Sequence, residues 1–399
     1  MIKVSCLPIW VRIVFRGLPG LWKGRHLLLL TWLVFMQAAV PGRKTVKELS
    51  RWTPFHITEW RFRRLLKAAY WSAETVITHF AWEAMNSFPP PKDGVVFMVG
   101  DSSHKNKRSQ KNPAVQKGKQ SKDSPWFFGI RFVLLAVCWD GYRIPVAVRI
   151  ILPKNDPDYK KENALFREMV QQTVLPEWVR TVIVTGDAAY ASRENMKTVI
   201  EKNKSNSHQK YYFVFAIART WKTDDKKSIK NLVTYLPCNL YSRTWIPAYS
   251  NPNRRKTFWI YRKTVCLRHI GDVTVVLSKK GRNAGPENTK IIVTNLPKAT
   301  GRQVISIYQR RWSVEVIFKE LKSGLGLGEH QVTGDRNRVE KSVGIAVMAY
   351  LFLLIARKND IRPGKPWSIF QLQNNLRMEV MTHQFNHLLN LRLNKYLNS

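Results

Sequence analysis

Apolar and polar positions along the chain change their period several times, and each change marks a predicted element. From Lys44 to Trp71 the pattern is helical in two short stretches broken at Thr53-Pro54, because proline cannot continue a helix. In the second stretch Phe62, Leu65, Leu66 and Ala69 form an apolar stripe that leaves Arg61, Arg63, Arg64 and Lys67 facing outward. Residues 1–90 read as a basic helical region, closed by the proline-rich stretch Ser87 to Asp93. The period then shortens. Val95 to Gly100 is an apolar run typical of a buried strand and ends at Asp101, after which a polar loop is predicted over His104 to Lys122. Phe127 to Trp139 and Tyr142 to Leu152 predict a hairpin turned by Asp140-Gly141. A helix follows over Lys160 to Gln172, a buried strand over Arg180 to Gly186 ending at Asp187, a helix over Ala191 to Lys202 and a strand over Tyr211 to Ala218. That order, filling 91–218, predicts an α/β mixed sheet flanked by helices.

Residues 219–297 change character. Short β-rich stretches (Thr257 to Tyr261, Thr264 to Leu267, Asp272 to Leu277, Lys290 to Thr294) alternate with Pro, Asn, Gly and Lys clusters, which predicts a β-rich insertion. Helical periodicity returns over 298–357, and a polar helical tail fills 358–399. Two uncharged apolar runs, Leu27 to Val40 and Val343 to Ala356, hold 14 residues each. A bilayer span needs about 20, so both are expected to be buried helices and no membrane role is expected.

Charge narrows the partners. Lys and Arg number 66 against 27 Asp and Glu, a formal net charge of +39 over 399 residues. Such an excess calls for a polyanion, nucleic acid before a membrane surface. Apolar residues at 44% and 15 Trp exclude a disordered basic tail. The four cysteines, Cys6, Cys138, Cys238 and Cys266, lie far apart without zinc-ligand spacing, which suits a reducing compartment. With this charge, the pattern at 44–71 is consistent with a helix-turn-helix whose second helix, carrying Arg61, Arg63 and Arg64, is offered to DNA, or with a solvated helix in a bundle.

The candidate chemistry begins with the two strand-end aspartates, since ligand-handling groups of open α/β sheets collect at the carboxyl ends of strands. A third acid comes from the stretch Val304 to Gly324, predicted to be one helix. At about 100° per residue, Tyr308, Arg311, Glu315 and Lys322 fall on one narrow face beside the apolar stripe.

These four residues match Y-(2)-R-(3)-E-(6)-K, and the chain here resembles a large superfamily of bacterial insertion-sequence transposases of the Asp-Asp-Glu class. The DSSHK segment at Asp101 and the GDAAY segment at Asp187 match the family's other two acids, in the correct order over about 95–325. The resemblance implies a ribonuclease-H-like core interrupted by a β-rich insertion between Asp187 and Glu315, with a helical DNA-binding domain ahead of it. It implies Asp101, Asp187 and Glu315 as catalytic ligands of Mg²⁺, with Mn²⁺ able to substitute, and Tyr308, Arg311 and Lys322 on DNA phosphate. Three carboxylates without Cys or His suit a hard cation, and two such ions can stabilise the entering and leaving oxygens of a displacement at phosphorus. The implied partners are double-stranded DNA, as terminal inverted repeats and target, and a second copy of the chain in a homodimer on DNA. The implied setting is the bacterial cytoplasm at the nucleoid. The rivals are a ribonuclease-H-like nuclease without strand transfer and an inactive or domesticated descendant that only binds DNA.

Overall fold

The computed structural model describes residues 4, 7–16, 18, 24–68, 71–107, 111–119, 125–248, 251–331 and 334–397. Cys6, Ala69 and part of the predicted 104–122 loop lie outside the described residues.

Among the described residues five helices come first: α1 (Ile9–Arg16), α2 (Gly24–Ala39), α3 (Val46–Ser50), α4 (Glu59–Lys67) and α5 (Ala73–Ser87). The last three start on side-chain caps, with Thr45, Thr58 and Ser72 each accepting the amide three residues on. In α4, Phe62, Leu65 and Leu66 are buried while Arg61, Arg63, Arg64 and Lys67 are exposed, as the apolar spacing predicts.

The sheet follows, built from β1 (Val95–Asn106), β2 (Val115–Lys119), β3 (Trp126–Trp139), β4 (Tyr142–Ile151), β5 (Thr181–Gly186) and β6 (Lys210–Ala216), with α6 (Glu162–Gln172) and α7 (Arg193–Ser205) between its strands. The β3–β4 hairpin turns at Asp140 (φ 42°) and Gly141 (φ 89°). Positive φ at both central residues is the geometry that matches strand twist, which explains the Asp-Gly pair. Strand β3 is antiparallel to β1 and β4, while β1, β5 and β6 run parallel. This is the mixed, ribonuclease-H-like sheet expected from the sequence.

After α8 (Ile229–Tyr235) come β7 (Ser242–Ala248), β8 (Asn251–Leu267), β9 (Gly271–Lys279) and β10 (Lys290–Thr294). The predicted stretches 257–261 and 264–267 are one long strand. These strands extend the main sheet rather than folding apart from it: β10 pairs antiparallel with β6, and the order runs β2-β3-β1-β5-β6-β10-β9-β8-β7, with β4 on β3.

The remaining helices are α9 (Gly301–Gln309), α10 (Trp312–Ser323), α11 (Arg336–Ala356) and α12 (Ile369–Leu397). The single helix predicted over Val304 to Gly324 is therefore two. Arg310 and Arg311 keep helical angles, but the amides of Arg310, Arg311, Ser313 and Val314 bond to carbonyls three residues back, a 3₁₀-like tightening. The reason lies in the sheet. α9 packs over β6 to β10 and α10 over β1, β3 and β4, and a twisted sheet does not offer both stations to one straight helix.

Helix α11 is long and apolar enough to cross a membrane, with mean hydropathy 1.8 over an 18-residue window, yet 83% of that window is buried inside the protein. It packs against α2, α4, α5, α12 and β4, and so is the axis of the helical layer. Run Leu27 to Val40 forms the buried α2. Cys138, Cys238 and Cys266 are free thiols.

Candidate active site

Asp187 stands directly after β5, where its carboxylate accepts the amide of Ala189 at 2.8 Å. Asp101 does not end its strand. β1 continues to Asn106, with Asp101 paired to Leu134 of β3. The polar SSHKN segment reads as a loop from the sequence because its strand state depends on β3, a partner the local pattern does not show. The carboxyl-end argument survives in another form: β1 and β5 pair only from Val95/Thr181 to Val99/Thr185, so Asp101 and Asp187 are each two residues past the last parallel pair.

A glycine precedes each acid, and each is needed for close approach. A Cβ on Gly100 would meet the Phe166 ring at 2.2 Å, and one on Gly186 would meet Tyr190 Cβ at 3.1 Å and the Gly100 carbonyl at 3.3 Å. Phe166 and Tyr190, with ring centroids 4.7 Å apart, thus form the floor on the α6 side. Because side chains alternate along a strand, Asp101 projects to the opposite face, under α10.

There Arg311 joins two acids. Its Nη2 lies 2.6 Å from Glu315 Oε1 and its Nη1 3.5 Å from Asp101 Oδ2. Burial raises the Asp101 pKa to about 7, and the negative charge of Asp187 adds to the rise, with Glu315 a smaller contributor. Asp187 and Glu315 are therefore electrostatic neighbours of Asp101. Tyr308, on α9, is buried and its pKa is raised by burial, with Arg311 opposing and Asp187 assisting. Lys322, at the end of α10, donates to Ser103 Oγ on β1 at 2.6 Å. The structure brings Asp101, Asp187, Glu315, Tyr308, Arg311 and Lys322 to one edge of the sheet, although Tyr308 reaches it from a different helix.

Arg61, Arg63 and Arg64 are elsewhere. Arg63 pairs with Glu59, Arg64 lies over Trp60 at 5.2 Å, and no contact joins the three to the acids among the described residues. One residue at the acidic edge was not singled out by sequence reasoning. Lys290, the first residue of β10, holds its Nζ 4.8 Å from the Tyr308 ring centroid. Its signal was a lysine opening a predicted strand, which is common on surfaces.

As arranged, no three His, Cys, Asp or Glu groups among the described residues stand close enough to hold one metal ion. The guanidinium of Arg311 is a cation already held between two of the acids. The donor chemistry, two carboxylates on a bound positive charge with Asp187 in the same field, fits a hard divalent ion, and the fit requires Arg311 to give way. A cavity of about 710 Å³ between α5, β4, α6 and α11 lies away from these residues, and none of the six lines it.

Residues 95–352 match a family model described as "Transposase DDE domain". No curated protein matches the chain. Among solved structures, the chain is similar to a piggyBac transposase in its cryo-EM synaptic complex with hairpin DNA, at 10% identity and a TM-score of 0.46, covering 95% of this chain and 77% of that one.

Proposed function

The chain belongs to the transposase DDE-domain family, and from that premise we propose that it is the transposase of a bacterial insertion sequence, cutting and joining DNA at the element's ends. The observation that carries this reading is Arg311 bound to both Asp101 and Glu315, with Asp187 contributing to the same field. Asp101, Asp187 and Glu315 would hold Mg²⁺, or Mn²⁺ in its place. A bound divalent ion would supply charge stabilisation for the in-line hydrolysis of a phosphodiester and for attack by the freed 3′-hydroxyl on target DNA.

The chain's own residues have separable tasks. Three carboxylates repel a polyanion, so cations must accompany them. Arg311 offers a planar fork that grips phosphate oxygens in bidentate fashion, and Lys322 offers a point charge beside β1. Tyr308 buries its ring against the sheet and turns its hydroxyl toward Arg311, orienting the guanidinium. The excess of +39 neutralises the duplex backbone. Helix α4, with Arg61, Arg63 and Arg64 exposed, is assigned to the terminal inverted repeats, and two copies of the chain act together on DNA in the bacterial nucleoid.

Metal-dependent nicking of terminal-repeat DNA tests the reading. In Asp101→Asn, Asp187→Asn and Glu315→Gln, nicking should disappear while binding of the same duplex persists. Loss of binding in all three without a separable cutting defect would favour a protein that only binds DNA. Cutting without joining of labelled ends to a plasmid would leave a nuclease.

A further inference from the structure

We propose that Lys290, seated on the ring of Tyr308, forms a phosphate-binding subsite on the Asp187 side of the acids, gripping the DNA backbone on the opposite flank of the scissile bond from Lys322. The inference deepens the transposase reading and rests on it.

Geometry sets the position. In β10, Ile292 is buried with Tyr308 beneath α9 while Ile291 joins the core on the other face, so alternation turns Lys290 to the α9 side. Lys290 is exposed and makes no ion pair among the described residues, and its ammonium rests 4.8 Å from the Tyr308 centroid. Its electrostatic neighbours are Arg311 and Lys280, which oppose its charge, and Asp187, which favours it.

The three cations at the edge are therefore in different states. Arg311 is committed to two carboxylates. Lys322 is bonded to Ser103, with Lys105 the like charge it feels. Lys322 also lies over a ring, that of Phe318 at 6.0 Å, but Lys290 is the one of the three that meets only an aromatic face, between two like charges. An anion arriving there relieves repulsion from Arg311 and Lys280 at once, and a phosphodiester oxygen is the anion that DNA provides. Lys105 and Lys322 mark one end of a basic track and Lys280 and Lys290 the other, with the acids between them. A backbone lying along that track places its reacting phosphate over the carboxylates.

The full-length protein and a terminal-repeat duplex suffice to test this, with binding followed by anisotropy over a salt series and contacts mapped by phosphate-ethylation interference. Lys290→Ala should make the slope of log K against log salt shallower by about 1, and Lys290→Arg should restore it. Ethylation of a phosphate on one side of the cleavage position should cease to matter in Lys290→Ala. In Lys322→Ala the insensitive phosphate should lie on the other side. A wild-type slope and interference pattern in Lys290→Ala would overturn the subsite, as would loss of the same phosphate in both variants. If that happens while Asp187→Asn still binds ends and fails to cut them, the transposase reading stands without the subsite. If the wild-type protein shows no interference at the ends, both fall.

Discussion

Helix α10 carries two glutamates five residues apart, each paired with an arginine, and the two pairs have opposite characters. Glu320 is 3% exposed and its partner Arg143 10%, whereas Glu315 is 34% exposed and Arg311 18%. Both oxygens of Glu320 are engaged: Oε1 accepts Arg143 Nη2 at 3.3 Å and the Ile369 amide at 3.0 Å, and Oε2 accepts the Tyr350 hydroxyl at 2.9 Å. Arg143 stacks over Trp367 at 4.0 Å. One carboxylate thereby fastens α10 to β4, to α11 and to the start of α12. Glu315 touches one guanidinium, which it shares with Asp101. The same chemical pair is a fastener where both carboxylate oxygens are met from several elements and an exchangeable contact where acceptors are left open. Glu320 fixes α10 from behind, so the place of the helix does not depend on the contact that Glu315 makes in front.

The largest effect that separates the two is on stability. Glu320→Ala strands a buried arginine and should cost about 3–5 kcal/mol, while Glu315→Ala should cost about 1 kcal/mol or less. Equal losses in denaturant unfolding would break the comparison. The buried side also contains His330, in the segment between α10 and α11, with Nε2 3.1 Å from Gln37 Oε1. Burial, aided by Lys107 and Arg63, lowers its pKa to about 3. The unfolded chain then binds a proton that the folded one refuses, so this contribution is complete above about pH 6.5 and lost as pH falls toward 3. Unfolding free energy followed against pH should flatten over that window in His330→Gln, and an unchanged acid limb would remove His330 from the account.

Smaller effects come from the arginines. Arg143→Lys should lower stability because lysine neither stacks on Trp367 nor keeps the fork, whereas Arg311→Lys should leave stability within about 0.5 kcal/mol and slow end cleavage. Wild-type cleavage by Arg311→Lys at all DNA and Mg²⁺ concentrations would detach Arg311 from the chemistry. The smallest effect is that of salt. Raising ionic strength from about 0.1 to 1 M shortens the screening length from about 10 to 3 Å, which should weaken the Glu315 contribution to stability in a double-mutant cycle and leave that of Glu320 nearly unchanged.

Much of this was legible along the chain, for reasons particular to each part. The strands around Val95, Val182 and Phe213 are apolar enough to declare themselves, and Asp140-Gly141 names its own turn. The Tyr308, Arg311, Glu315 and Lys322 spacing singled out four of the residues that meet at the acidic edge. What failed was the geometry behind it. Nothing between Val304 and Gly324 is a glycine or proline, so the helix break at Arg310-Arg311 leaves no local trace and arises from the twist of the sheet below. Arg311 and Glu315 still meet because both belong to the α10 side of the break. Asp101 lies within its strand because β3 pairs beyond it, and β8 runs through polar residues because β7 and β9 flank it. Pairing across long sequence separations is what periodicity does not carry, and Lys290 was missed for the same reason. Its neighbours Tyr308, Arg311 and Asp187 are assembled only when β10 docks on β6.

The buried placement of α11 bears on how the chain comes off the ribosome. Its apolar surface is covered by α2, α4 and α5, which are made before it, and by α12, made after it. The leading helices therefore wait, with Leu30, Phe35 and Phe80 lacking their final cover, until more than about 250 further residues have been made. Closing so long a loop is slow, and exposed apolar helices invite association in the interval. The head of this protein is not a module that can be cut away with its arginines intact: its core is completed by a helix that the chain reaches only after the whole sheet.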